Sequence, residues 1–167
     1  MPYAYTTMTS LVGNLTLVAS DKGLAAILWE HEKANRVPLQ EMQEEPQNPL
    51  LQDTMRQLQE YFAGTRKSFS IPLDFQGTDF QKKVWNALLT IPYGETRSYA
   101  DIANQVNSPK AVRAVGAANG KNPVSIIAPC HRVIGSNGDL TGFAGGLAAK
   151  TLLLSLEGHA EKQLSLI

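Results

Sequence analysis

Cysteine is nearly absent from this chain: among 167 residues there is one, Cys130. A single thiol excludes an intramolecular disulfide framework and any cysteine-rich zinc site. Long apolar runs are missing too, so no segment is predicted to span a bilayer. A net charge is lacking, with 15 basic against 15 acidic side chains. The three histidines, His31, His131 and His159, have no metal-ligand spacing to another donor cluster. The glycines form neither a dinucleotide fingerprint nor a P-loop. No metal and no cofactor are therefore expected. The N-terminus shows no charged-then-apolar signal pattern. The expected setting is cytoplasmic and reducing, where a free thiol survives.

Neutrality hides a division of charge. Residues 1–64 carry four basic and eight acidic side chains, a balance of −4. Residues 81–135 carry seven basic side chains against Glu95 and Asp101, a balance of +5. A positive half of this kind suits a phosphate backbone, although a solvated surface gives the same count.

The lone thiol sits in the run Pro129-Cys130-His131-Arg132-Val133. A free cysteine is more often an inert core residue than a reactive one. Here imidazole and guanidinium flank it. Burying those groups without purpose is costly, and neighbouring positive charge favours the nucleophilic thiolate.

The element pattern predicts an α+β chain. Tyr3–Met8, Leu15–Ala19 and Leu24–Trp29 read as an antiparallel meander, punctuated by Gly13-Asn14 and Asp21-Lys22-Gly23. Residues 31–47 read as a loop. Asn48 caps a helix that Pro49 begins and Gly64 ends, with Leu51, Met55, Leu58 and Phe62 as its buried stripe. Residues 65–77 are the best boundary, which divides the chain into a small antiparallel-sheet-plus-helix domain (1–76) and a helical domain (77–167).

In the second half, Thr78 and Gln81 form a capping box for a helix bearing Phe80, Val84, Trp85 and Leu88. Two short helices follow, one capped by Ser98, the other by Ser108 with Pro109 first and Gly120 last. With only Asn107 and Ser108 between them, they predict a helix-turn-helix. Lys110, Arg113, Ala114, Ala117 and Lys121 recur along one face of the second helix, with Val112 and Val115 pointing elsewhere. Small residues between basic ones allow close approach to a nucleic-acid groove. Val124–Ala128 reads as a strand leading to Cys130, and Ser136-Asn137-Gly138 as a hairpin turn. A last helix spans Leu147–Glu157, with Leu153 and Leu156 inward. Glu157 opposes the helix dipole there, which calls for a compensating partner. His131 is the candidate, giving a Cys130–His131–Glu157 relay in which Glu157 orients the imidazole and the imidazole removes the thiol proton.

The stretch from Thr78 to Gly158 closely resembles the O6-alkylguanine-DNA alkyltransferases, or methylated-DNA–protein-cysteine methyltransferases. The resemblance rests on Pro129-Cys130-His131-Arg132-Val133, with Ile91-Pro92-Tyr93-Gly94, Ala111-Val112-Arg113-Ala114-Val115-Gly116, Asn122-Pro123, Gly145-Gly146 and Glu157-Gly158. It covers about half the chain; the N-terminal half fits through its strand–strand–strand–helix order. The resemblance implies a ribonuclease H-like first domain and a winged-helix-like second domain. It implies single, irreversible transfer of an alkyl group from O6 of guanine in double-stranded DNA to Cys130, with O4 of thymine left open as a target. Tyr99 would donate to the departing guanine, and Asn122 would fix the thiol-bearing turn. Arg113 would fill the space left by the flipped nucleotide, with Ala114 and Ala117 against the minor groove. Lys110, Ser98, Arg132 and Lys121 would complete the DNA contacts. Val133, Leu140, Phe143, Ala144 and Gly145 would line the alkylguanine pocket. Phe143 stands where many members have tyrosine and Ala144 where some have serine, which bears on base recognition. The protein would act as a monomer, alone or as several copies on one DNA, and without a membrane. Two other readings are weighed against this one. A module that binds lesions only to flag them would not need Cys130. A cysteine hydrolase would need an oxyanion hole that the sequence does not reveal.

Overall fold

A computed structural model describes residues 2–135 and 143–158. The Ser136-Asn137-Gly138 turn, Leu140 and the tail after Gly158 lie outside the described residues. The chain divides into two compact units. One comprises Met1–Gln76 with Pro123–Ser125; the other comprises Gly77–Asn122 with Ile126–Ile167.

The first unit is built on strands β1 (Tyr3–Ser10), β2 (Gly13–Ala19), β3 (Leu24–Trp29) and β4 (Met42–Glu44), in sheet order β3-β2-β1-β4. The first three form the expected antiparallel meander. In β1, Ala4, Thr6 and Met8 alternate inward, as a half-buried strand requires. The sheet as a whole is mixed, because β4 pairs parallel with β1 through Tyr3↔Met42 and Tyr5↔Glu44. This strand falls inside the region read from sequence as a loop. Three residues are too few to show a period, and their pairing is set by distant backbone.

Helix α1 (Pro49–Phe62) packs on β1 and β2. Asn48 caps it, its side chain accepting from the backbone N–H of Leu50 and of Leu51. Its buried face holds Leu51, Thr54, Gln57, Leu58 and Tyr61, whereas Met55 and Phe62 are only half-buried. The polar members are admitted because they are satisfied. Thr54 donates to Leu50 O, and Gln57 exchanges bonds with Ser70. The edge strand β3 takes further partners. Leu24 N donates to Pro72 O, Ile27 N to Pro123 O, and the Trp29 indole to Ser125 Oγ at 3.1 Å.

The second unit contains α2 (Asp79–Leu88), β5 (Arg97–Ser98), α3 (Tyr99–Gln105) and α4 (Val112–Gly120). A 3-10 turn (Cys130–Arg132), β6 (Val133–Ile134) and α5 (Leu147–Leu156) complete it. Thr78 and Gln81 form the capping box of α2, and Ser98 and Asp101 that of α3. Helices α2, α3 and α4 pack together around Val84, Trp85, Leu88, Ile102, Ala103, Val115 and Ala118. The Trp85 indole N–H donates to Ala118 O at 2.8 Å, tying α2 to α4. Gly77 lies against the same indole, where an added Cβ would stand 2.6 Å from the ring. Strands β5 and β6 pair in parallel.

Three local expectations are corrected in this unit. Helix α4 begins at Val112, not Pro109, and has no side-chain cap. Instead of capping, Ser108 closes a turn through Ala111 N–H to its carbonyl, and Asn107 adopts the left-handed conformation at φ 60°. The Val124–Ala128 strand does not form, because Ile126 turns the chain at φ 76°. In α5, Leu153 and Leu154 are fully buried while Leu156 is half-buried.

Candidate functional site

The turn that carries Cys130 is pinned from two sides. Asn122, itself fully buried, donates its side-chain amide to Ala128 O at 2.8 Å, and Cys130 N–H donates to the same carbonyl at 2.8 Å. Cys130 is 3 % exposed. Ile126 precedes it in a conformation that β-branched residues avoid, at a cost on the order of 1–3 kcal/mol. The surrounding bonds hold the chain there.

Next to the thiol lies an ionic cluster with no solvent contact at its centre. His131 and the Glu157 side chain are fully buried, with His131 Nε2 2.7 Å from Glu157 Oε2. Arg132 forks onto the same carboxylate, Nε to Oε1 at 2.7 Å and Nη2 to Oε2 at 2.9 Å. Its Nη1 donates to Ile91 O at 2.7 Å, and its guanidinium lies over the Tyr93 ring at 5.7 Å. Tyr93 in turn donates its hydroxyl to Leu156 O. Gly94 turns at φ 83°, where a Cβ would press on Glu157 O at 3.3 Å. The Ile91–Gly94 turn thus brackets the end of α5.

Electrostatics fix the protonation of this cluster. Burial pushes the Glu157 carboxyl up, but hydrogen bonds and charge from His131 and Arg132 outweigh it and hold the group well below the usual carboxylate range. An ionised carboxylate only accepts, so His131 Nε2 carries the proton. Burial pushes the His131 imidazole down against the opposing pull of Glu157, which favours the neutral ring. Nδ1 is then the unprotonated nitrogen, and it has no hydrogen-bond partner among the described residues. The arrangement can accept one proton at Nδ1, one residue along the chain from the only thiol.

Lys150, in the apolar helix α5, is also fully buried. Its ammonium donates to Val133 O at 2.8 Å and lies 5.9 Å from the Phe143 ring. Burial brings its pKa down to about 8 although the thiol charge of Cys130 opposes this. Phe143, Ala144 and Gly145 are half-buried in the segment before α5, and Val133 is fully buried.

Arg113, Ala114 and Ala117 stand exposed on one face of α4, flanked by exposed Lys110 and Lys121, while Val115 and Ala118 face inward. Val112, expected to point away from that face, is 39 % exposed. Tyr99 opens α3, with its ring beside Gly116 of α4. Ser98 uses its side chain to cap α3. Arg132, expected among the DNA contacts, lies instead in the buried cluster with Glu157. It is 6 % exposed, and its Nε, Nη1 and Nη2 each donate to Glu157 or Ile91.

Comparison with known proteins adds independent findings. Residues 3–75 match the model of the 6-O-methylguanine DNA methyltransferase ribonuclease-like domain, and residues 79–159 that of its DNA-binding domain. The chain is 48 % identical to a methylated-DNA–protein-cysteine methyltransferase of Methanosarcina acetivorans, over 92 % of this chain and 97 % of that one. The chain belongs to the 6-O-methylguanine DNA methyltransferase family. Another relative is the constitutive methylated-DNA–protein-cysteine methyltransferase of Bacillus subtilis, 47 % identical over 95 % and 98 % of the two chains. A crystal structure of Mycobacterium tuberculosis OGT in complex with DNA superposes with a TM-score of 0.85, at 45 % identity, covering 97 % of this chain and 99 % of that one.

Within this family member, sequence reasoning missed two residues of the cluster. Arg132 was visible beside the thiol, but its partner lies 25 positions away. Lys150 carried a plainer signal: one lysine in the run Leu147-Ala148-Ala149-Lys150-Thr151-Leu152-Leu153-Leu154. No helix among the described residues is long and apolar enough to cross a membrane, and those residues contain no group of three or more His, Cys, Asp or Glu able to hold a metal.

Proposed function

We propose that this chain repairs DNA by direct reversal, taking the alkyl group from O6 of guanine in a duplex onto Cys130 once and irreversibly. His131 Nδ1 takes the thiol proton, directly or through a water. The sulfur attacks the alkyl carbon, an S–C bond forms, and the C–O6 bond breaks with its electron pair leaving on guanine. Tyr99 donates a proton or hydrogen bond to that departing base. Glu157 acts as a positioning residue for His131, and Asn122 for the Cys130 turn. The observation that carries this reading is the buried imidazole, its Nε2 on Glu157 and its Nδ1 without a hydrogen-bond partner among the described residues, in the same turn as the only cysteine. Family membership supports the same chemistry.

The target atom lies inside the base stack, so the nucleotide must be extruded. Arg113 fills the vacated space with a planar, charged group suited to stacking near phosphate. Ala114 and Ala117 permit close approach to the minor groove, and Lys110, Lys121 and Ser98 hold the backbone. Val133, Phe143, Ala144 and Gly145 flank the flipped base; Leu140 is assigned with them from sequence alone. Residues 1–76 form the first domain in this reading, and residues 77–167 the DNA-binding and catalytic domain. The protein acts as a monomer in a cytoplasmic, reducing setting that keeps Cys130 free.

The test is a duplex bearing O6-methylguanine with a labelled methyl group. Label should move to the protein at no more than one equivalent, and Cys130→Ala should take up none. Turnover beyond one equivalent would favour a hydrolase, and tight binding without transfer a lesion-flagging module; either result overturns the proposal.

A further inference from the structure

Resting on that reading, the geometry points to a further positioning residue. We propose that Arg132, from within the nucleophile's own turn, supplies the cation that neutralises Glu157, so that His131 is left uncharged and able to act as the base.

Among the described residues, the cluster contains one buried carboxylate and, bonded to it, two groups able to balance it, His131 and Arg132. A buried carboxylate without a cation is costly, so one positive charge must stand beside Glu157. If Arg132 provides it, the imidazole need not. If Arg132 did not, the proton needed for neutrality would reside on His131, and a protonated imidazole accepts nothing at Nδ1. The observed bonds favour the first arrangement. The guanidinium takes both carboxylate oxygens and shares Oε2 with His131 Nε2. A fork of this shape fits a carboxylate as an ammonium cannot. The Ile91 carbonyl and the Tyr93 ring hold the guanidinium in place.

Among the described residues, the charged and titratable groups around His131 are few. Arg132 and Cys130 come from its own turn, Glu157 and Lys150 from α5 and its end, and Tyr93 from the Ile91–Gly94 turn. Glu157 favours protonation of the ring, whereas the charges of Arg132 and Lys150 oppose it. Removing Arg132 deletes one opposing charge and returns Oε2 wholly to the imidazole. Both changes raise the pH at which His131 becomes neutral.

The experiment follows benzylation of Cys130 by free O6-benzylguanine, read by intact mass from pH 5 to 9, in the native protein, Arg132→Lys and Arg132→Met. The acid limb of the rate should move to higher pH by about one unit in Arg132→Met. It should move by a smaller amount in Arg132→Lys, which keeps the charge and loses the fork. Nitrogen NMR of His131 should show the neutral Nε2–H tautomer in the native protein and an imidazolium persisting to higher pH in the variants. Should Arg132→Met fail to fold, Arg132→Lys carries the test with the same direction of shift. Coincident acid limbs, with or without a uniform loss of rate, would overturn the role of Arg132. A native protein that is never benzylated would instead overturn the transfer reading, while the NMR arm would still decide what Arg132 does to His131.

Discussion

Lys110, Arg113 and Lys121 stand in solvent along α4, whereas His131, Arg132 and Lys150 lie buried around Glu157 and the Val133 carbonyl. On a charge count over residues 81–135, Arg132 is indistinguishable from the exposed cations. In the fold they do opposite things. An exposed cation keeps its hydration and is available to phosphate oxygens. A buried one has exchanged water for fixed partners, and its charge acts over a few ångströms on the groups it touches. The exposed set therefore suits a polyanion of any sequence, and the buried set suits adjustment of proton affinities beside one thiol.

The largest contrast should appear in stability. Glu157→Ala leaves Arg132 buried and uncompensated, which is expected to cost about 3–5 kcal/mol. Lys121→Ala, at an exposed site, should stay within about 0.5 kcal/mol of the native protein. Urea denaturation compares them, and equal losses would erase the distinction between the two groups.

A smaller effect should separate them on DNA. Lys110→Ala and Lys121→Ala should each weaken binding to undamaged duplex and lower the dependence of affinity on salt by about one in the log–log slope. Arg132→Lys should leave that slope unchanged. A salt titration of binding reads all three, and a flatter slope in Arg132→Lys would place its guanidinium at the phosphates after all.

A third contrast is a pH effect on stability. Lys150 titrates near 10.5 when unfolded and at about 8 when folded. Between these values the unfolded chain binds more protons, so stability should rise with pH over that window, and Lys150→Met should remove the rise. On the acid side the folded His131 and Glu157 values are both depressed. Stability should therefore fall as pH drops below about 6.5, and fall further below the unfolded carboxyl value. Urea melts across the pH range measure both trends.

What the sequence disclosed follows the range of the forces involved. Asn48, Thr78 and Ser98 act as helix caps in the structure as the local pattern predicts, because capping is settled within three residues. The burial of Val115 behind an exposed Arg113 face follows from helical period, whereas Val112, read onto the same inward side, is 39 % exposed in the first turn. Ser108 followed the same rule and failed, since a tight turn took its carbonyl and delayed the helix to Val112. The Val124–Ala128 expectation failed because nothing in a run of apolar residues announces a positive φ at Ile126. Strand β4 exists only by pairing with β1 from 39 positions away. In the site, the conflict of Glu157 with its helix dipole pointed to a partner, and His131 is one. Arg132 as the second partner was hidden, because whether a cation faces water or a carboxylate is decided by packing.

The division of labour between the two sets of cations is tested most directly by one pair of variants on two substrates. The rate of Cys130 alkylation is measured for Arg113→Ala and Arg132→Lys with an O6-alkylguanine duplex and with free O6-benzylguanine, at a pH on the acid limb. Arg113→Ala should lose at least about tenfold on the duplex, where extrusion is required, and change little on the free base. Arg132→Lys should be slowed by a similar factor on both. Equal losses for Arg113→Ala on the two substrates, or a loss for Arg132→Lys confined to the duplex, would contradict the account.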